Sequence, residues 1–407
     1  MQEPGLTAST KLRRSVPRGI ATQGPAVLSY GFRPFFLLAG IFAVLAMIAW
    51  VGALSGYWEL GGKAGPIDWH AHEMLFGYAS AALCGFVLTA VPNWTGRLPV
   101  SGLPLLGLVA LWLAGRAVMA VPGLIGEGPS AVADCLFLPV LAFVVAREVI
   151  AGRNWKNLRV AIGITLLAAL NAAFHLFVLA GWDEMPVIRL TVSLFVLLIS
   201  QIGGRIVPSF TRNYLARKGA SRLPRPLGML DHIALLATLL ASLAWSFLPA
   251  GLPTAVIAAL AAILQGARLA SWRGLSAAEE PLLLVLHVGY AFVPIGLLAI
   301  AAAAIGLLAE PSALHLLTVG GIGLMTLAVM TRASRGHTGR PLAASRTTTA
   351  SYLLLFAAAV ARPLAELVPA GYYGILAFSG VAWIAAYALF VAEHAPMLLR
   401  PSHKTQR

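Results

Sequence analysis

The chain is 407 residues long, 59% hydrophobic and only 11% charged, which excludes a soluble globular domain of this length and implies a polytopic membrane protein. A formal net charge of +14 would suggest nucleic acid in a soluble protein, but here the basic residues sit in short loops between apolar runs, where they set topology. No nucleic-acid partner is expected; the lipid bilayer is. Cys84 and Cys135 both lie in apolar segments and are expected to pack rather than pair.

Residues 1–30 carry Lys11, Arg13, Arg14 and Arg18 among Pro, Ser and Thr, without the apolar core of a signal peptide, and read as a cytoplasmic tail. Apolar runs of about 20 residues, the length that crosses a bilayer core, follow at 35–55, 73–93, 103–121, 129–150, 158–181 and 186–208. Six more lie at 228–249, 252–271, 281–309, 312–331, 347–367 and 372–396. The break near 250 rests only on Pro249, Gly251 and Pro253. The expected fold is therefore all-α: a twelve-helix transmembrane domain over 31–397, with a second tail at 398–407. With both termini cytoplasmic, all but four of the 29 Lys and Arg fall inside, the exceptions being Lys63, Arg116, Arg189 and Arg362. That asymmetry is what the positive-inside rule demands.

The second and tenth runs share a pattern. Gly77 follows His72 by five residues and Gly320 follows His315 by five; Thr95-Gly96-Arg97 and Thr338-Gly339-Arg340 then stand at the same distance from each histidine. The sixth run ends in a weaker cousin, Gly204-Arg205 through Pro208 to Thr211-Arg212, with no histidine at its entry. A spacing of four predicts three units of four helices.

Histidines sort by depth on this topology. His70, His72 and His315 stand at outer helix entries, and His175 lies about two turns below the outer end of the fifth helix. His232, His337, His394 and His403 are on the inner side, and His287 lies six residues beyond Pro281 in the ninth helix, too far inward to join the outer group. Neutral imidazole is a common metal ligand, and a haem can take one on each face, so His72 and His315 form the leading pair. His70 and His72 are two apart and cannot share a helical face; one can ligate while the other looks to a second site. Glu73 suits either a helix N-terminus or the orientation of a ligating histidine, or proton acceptance near the site. Arg97 and Arg340, with Arg205, Arg212 and Arg332, crowd the inner ends of the related helices, where haem propionates or an anion would find partners. The shared Thr-Gly-Arg suggests a functional surface beyond ordinary helix termination. No Walker loop, dinucleotide fingerprint, zincin motif or nucleophile elbow is present.

Five blocks, GFRPFFLLAG (31–40), WHAHEMLFGYASAALCGFVLTAVPNWTGR (69–97), GGRIVPSFTRN (203–213), LHVGY (286–290) and LHLLTVGGIGLMTLAVMTRASRGHTGR (314–340), together resemble the NnrS family. The resemblance implies a bacterial inner-membrane protein that contains haem, of b type, and copper, and that is linked to nitric oxide and nitrosative stress. It brings His70, His72, His175, His287, His315 and His337 forward as cofactor-binding positions without dividing them between haem and copper. A similarity to haem-copper oxidases and nitric oxide reductases is a fold-level analogy only, and the sixth and seventh helices lack the histidines those enzymes use for copper.

The resulting expectation is a protein that binds nitric oxide and acts in its removal, as a reductase if it is catalytic, with a quinol or a redox protein as electron donor. The alternatives are a secondary transporter with a structural histidine motif, and a non-catalytic nitric oxide or haem sensor.

Overall fold

A computed structural model describes residues 24–402, and no strand occurs among them. Lys11, Arg13, Arg14, Arg18 and His403 lie outside the described residues. Twelve helices are long and apolar enough to cross a membrane: α1 (Phe32–Leu54), α2 (Gly62–Thr95), α3 (Leu103–Ala120), α4 (Glu127–Ala151), α5 (Trp155–Ala180), α6 (Met185–Arg217), α7 (Met229–Phe247), α8 (Leu252–Ala270), α9 (Pro281–Ala304), α10 (Glu310–His337), α11 (Arg346–Leu367) and α12 (Pro369–Leu399). Large apolar side chains such as Leu45, Phe143, Leu236, Ile263 and Leu353 are exposed on α1, α4, α7, α8 and α11. On a multi-pass membrane protein such a surface is the lipid-facing one.

The break between α7 and α8 is real. Gly251 adopts a positive φ of 109°, its amide donates to the Ala304 carbonyl at 2.7 Å, and Pro253 occupies the first turn of α8. Two boundaries differ from expectation. α2 starts some ten residues earlier than its apolar run, because Gly65–His72 is already helical although it is polar. α6 runs through Pro208 to Arg217, a prolonged helix that packing against neighbours can sustain despite the missing amide.

The short connections make the helices alternate in direction. The starts of α2, α6 and α10 gather at one end, where Arg189 pairs with Glu310. The first and last described residues lie at the other, where the Arg33 guanidinium donates to the carbonyls of Leu398, at 2.9 Å, and Arg400, at 2.7 Å, and so caps the end of α12. These are called the histidine end and the arginine-rich end below.

α2 and α10 are equivalent beyond their shared residues. In each, the histidine is followed at once by a π-helical segment, Glu73–Ala79 in one and Leu316–Gly323 in the other. A π turn leaves carbonyls out of the usual ladder, and side chains meet them: Trp112 Nε1 donates to the Gly77 carbonyl at 3.0 Å, and the Tyr387 hydroxyl donates to the Gly323 carbonyl at 3.2 Å. The shared glycine has a packing cause in both copies. A Cβ at Gly77 would stand 2.6 Å from the Phe42 ring, and one at Gly320 would stand 2.1 Å from the Phe292 ring. α6 carries no π segment, so its kinship with α2 and α10 is one of position.

Gly320→Ala should therefore lower the apparent melting temperature of the detergent-solubilised protein, at a cost of about 1–3 kcal/mol. Gly107→Ala, on a helix face where a Cβ meets nothing within 4 Å, should leave it unchanged. Equal melting of the two variants would contradict the packing assignment.

Candidate functional site

Two sites lie at the histidine end, on either side of the first turns of α2. The first is a buried polar cluster drawn from α2, α3, α4 and α5. His72 directs Nδ1 to Glu73 Oε1 at 2.8 Å and Nε2 to Asn171 Oδ1 at 2.9 Å, with Asp134 Oδ2 at 3.2 Å from the same Nε2. His175 Nε2 and Asn171 Nδ2 each approach Asp134 Oδ2 at 2.9 Å. The Arg116 guanidinium bridges Glu73 and Asp134. His72, Glu73 and Asp134 are all but sealed from solvent.

One ligand atom each from His72, Asp134 and His175 falls within 4.8 Å of the others, so two imidazoles and a carboxylate could converge on one ion. The surroundings suit that use. Glu73 beside Nδ1 orients the His72 ring and leaves Nε2 facing the would-be ion, the carboxylate–histidine relation common around bound metals. Two carboxylates also face a single guanidinium. With neutral imidazoles the buried cluster keeps one negative charge, which a proton on His72 or a bound cation would neutralise.

The second site is a cavity of about 530 Å³ bounded by α1, α2, α6, α10, α11 and α12. His70 and His315 both line it, among mostly apolar walls that include Met47, Trp50, Val192 and Trp383. The His70 ring stacks on Trp50 with centroids 4.3 Å apart, and its Nδ1 is buried without a hydrogen-bond partner. His315 Nδ1 donates to the Pro311 carbonyl at 2.7 Å, which fixes the tautomer and leaves Nε2 with a free lone pair. Arg362, Glu366, Asp68 and Glu310 supply charge at the wall. Two imidazoles with uncommitted nitrogens in a largely apolar space of this size fit a planar tetrapyrrole.

The expected pairing of His72 with His315 is thus not the one the fold makes. His72 turns into the polar cluster, and His70 shares the cavity with His315. No residue of the cluster lines the cavity, so the two sites are separate compartments. His175 joins the cluster, as its depth suggested. His287 lies apart in α9, with Nε2 2.8 Å from Thr211 Oγ1, and His337 stacks against Tyr30 at the arginine-rich end with centroids 5.9 Å apart. The shared Thr-Gly-Arg is explained more fully by helix termination than its sequence suggested. Thr95 and Thr338 donate to the carbonyls four residues back, at 2.8 and 2.7 Å, and Gly96 and Gly339 take positive φ values of 68° and 79°. Arg97 pairs with Glu148, and neither Arg97 nor Arg340 lines the histidine cavity.

Arg116, Asp134 and Asn171 are the cluster residues that motif reading passed over. The first two had a signal: Arg116 breaks the positive-inside pattern, and Asp134 is a carboxylate in an apolar helix. Each needs a partner, and they are each other's.

A twelve-helix membrane protein with two histidine sites at one end is the class that fold and geometry define. The profile of a family described as "NnrS protein" matches residues 26–402. The chain belongs to the NnrS family. No curated protein matches it.

Removing Arg116 should be costly, because it strands two buried carboxylates. Arg116→Met is expected to destabilise by about 3–5 kcal/mol, and adding Asp134→Asn should recover part of that. Additive losses in the double variant, read from thermal melts, would show that the two do not form one charge-balanced unit.

Proposed function

We propose that the protein is a haem- and copper-binding protein of the bacterial inner membrane that binds nitric oxide and acts in its removal or in resistance to nitrosative stress. Haem is assigned to the cavity between His70 and His315, and copper to His72, Asp134 and His175. The observation that carries this reading is that the two motif-bearing helices, α2 and α10, deliver His70 and His315 to a single, mostly apolar cavity, with His70 Nδ1 unpartnered and His315 Nε2 left free by the bond its Nδ1 makes. Membership of the NnrS family supports the choice of haem and copper and the link to nitric oxide.

When bound, haem iron supplies an open-shell metal able to take a diatomic ligand, and copper a one-electron couple. The chain's part is to hold and insulate them. Pro311 and Glu73 fix the tautomers of His315 and His72, and Trp50 holds the plane of His70. Asp134 offers its carboxylate between His72 and His175, while Arg116 balances the charge that remains. If nitric oxide is turned over, electrons come from a quinol or a redox protein.

Orientation belongs to the same reading: both termini face the cytoplasm and the histidine end faces outward. Arg116, Arg189 and Arg362, three of the four basic residues that then fall outside, are each paired with a carboxylate, so they weigh little against it. The commitment of buried charge argues against ion-coupled transport, since Asp231 is held by Arg268 and Asp134 is taken by the copper assigned above, which leaves neither free for a cargo ion.

His70→Ala and His315→Ala should each lose or shift the haem bands in a reduced-minus-oxidised spectrum and keep copper. His72→Ala and His175→Ala should keep the haem bands and lose copper, and Glu73→Gln should weaken copper binding by about 10- to 100-fold. Unchanged haem spectra in a His70→Ala, His315→Ala double variant would overturn the haem assignment.

A further inference from the structure

A second cavity, of about 80 Å³, lies where α2, α6 and α10 meet. Its walls are side chains such as Phe86, Phe195, Ile202 and Met325, and Thr326 is the one residue with a polar side chain among them. The Thr326 hydroxyl is already committed: it donates to the Ile322 carbonyl at 2.7 Å and is shared with the Tyr78 hydroxyl. A buried water needs two to four polar partners, and about 10–15 Å³ of such space holds one. This partly open, apolar cavity therefore has room for several water-sized molecules and no partners to hold them, a lining that favours apolar guests over water.

It lies next to the histidine cavity. Ile322 lines both, and Tyr78 lines the histidine cavity while its neighbour Ala79 lines the central one. The partition between the two is therefore one side chain thick at Ile322. Both residues belong to the π segments, Ile322 in that of α10 and Ala79 at the end of that of α2.

We propose that the central cavity holds small uncharged gas molecules and passes them to the histidine cavity past the Ile322 side chain. Charged and strongly hydrated species are excluded, because nothing in the lining replaces their water. The passage to a haem rests on the function proposed above; the binding of gas in the cavity does not.

The test uses xenon and the full-length protein. Crystals pressurised with xenon should show it in contact with Ala82, Phe195 and Met325, and Ala82→Leu, which fills the space, should abolish that peak. In the haem-loaded protein, recombination of nitric oxide after flash photolysis should slow by about tenfold in Ala82→Leu. In Ile322→Ala, which opens the partition, recombination should be faster than in the parent. Absence of xenon at this position, or its persistence in Ala82→Leu, overturns the cavity assignment. Parental recombination rates in both variants overturn the passage. Should Ala82→Leu fail to fold, Ile322→Ala decides, since it removes bulk and adds none. A purified protein without haem would defeat the proposed function alone, and the xenon experiment would still decide the cavity.

Discussion

Side chains two residues apart on a helix point to nearly opposite faces, and the histidine end is arranged around that constraint. In Trp69-His70-Ala71-His72-Glu73 one imidazole looks toward α1, where Trp50 stacks on it, and the other toward α4 and α5. One short stretch therefore serves two compartments and separates them. The repeat clarifies why the compartments differ. His72 and His315 are equivalent positions, each facing helices that follow it in the chain. Behind His72 the space is filled by Asp134, Asn171 and His175. Before His315 it is hollow and lined by α11 and α12. Helix geometry thus sets where the histidines point, and the residues opposite determine whether a filled cluster or an open cavity results.

Buried charge is handled in the same way throughout the molecule. Arg116 with Asp134, Arg268 with Asp231 and Arg335 with Glu393 are buried or nearly buried ion pairs in the first, middle and last parts of the bundle. Arg268 illustrates the requirement: it is almost fully enclosed, and it donates to Asp231, the Ser200 carbonyl and the Tyr290 hydroxyl. In a medium that offers no water, a guanidinium with its donors satisfied links helices, whereas one left unpaired would be a severe penalty. The cluster around His72 differs in its surplus of carboxylate, Glu73 and Asp134 sharing Arg116 where Asp231 and Glu148 each meet two guanidiniums, and it also brings two imidazoles together.

Much of this could be read in the chain. Twelve apolar runs of bilayer length announce the helices, and the correspondence of His72 with His315 identifies two equivalent ones, because length and spacing survive folding unchanged. The weak break at Gly251 was legible for the same reason, since glycine and proline constrain the backbone locally. The facing of the histidines was not. Aligned positions invite the pairing of His72 with His315, but which imidazoles meet depends on how units pack, and that is a relation between distant segments. Asn171 left no trace either, being one polar residue among apolar ones in α5, whereas Arg116 and Asp134 were visible as violations of topology and hydropathy. The π segments have no compositional mark at all; Met74-Leu75-Phe76 would serve an α-helix equally well.

Those π segments bear on how much variation the family architecture can absorb. Each widened turn takes up a residue that an α-helix would have used to advance by roughly 100°, so the histidines above it and the Thr-Gly-Arg below it are kept in a fixed rotational phase. The two copies can share one spacing because both carry the same widening. Loss of a single residue between Glu73 and Ala79, with the lower half of α2 held in place, would turn His70 and His72 together away from their present neighbours. Both compartments would then be lost without any histidine having been replaced, so the number of residues in that turn is as much a part of the site as the imidazoles it positions.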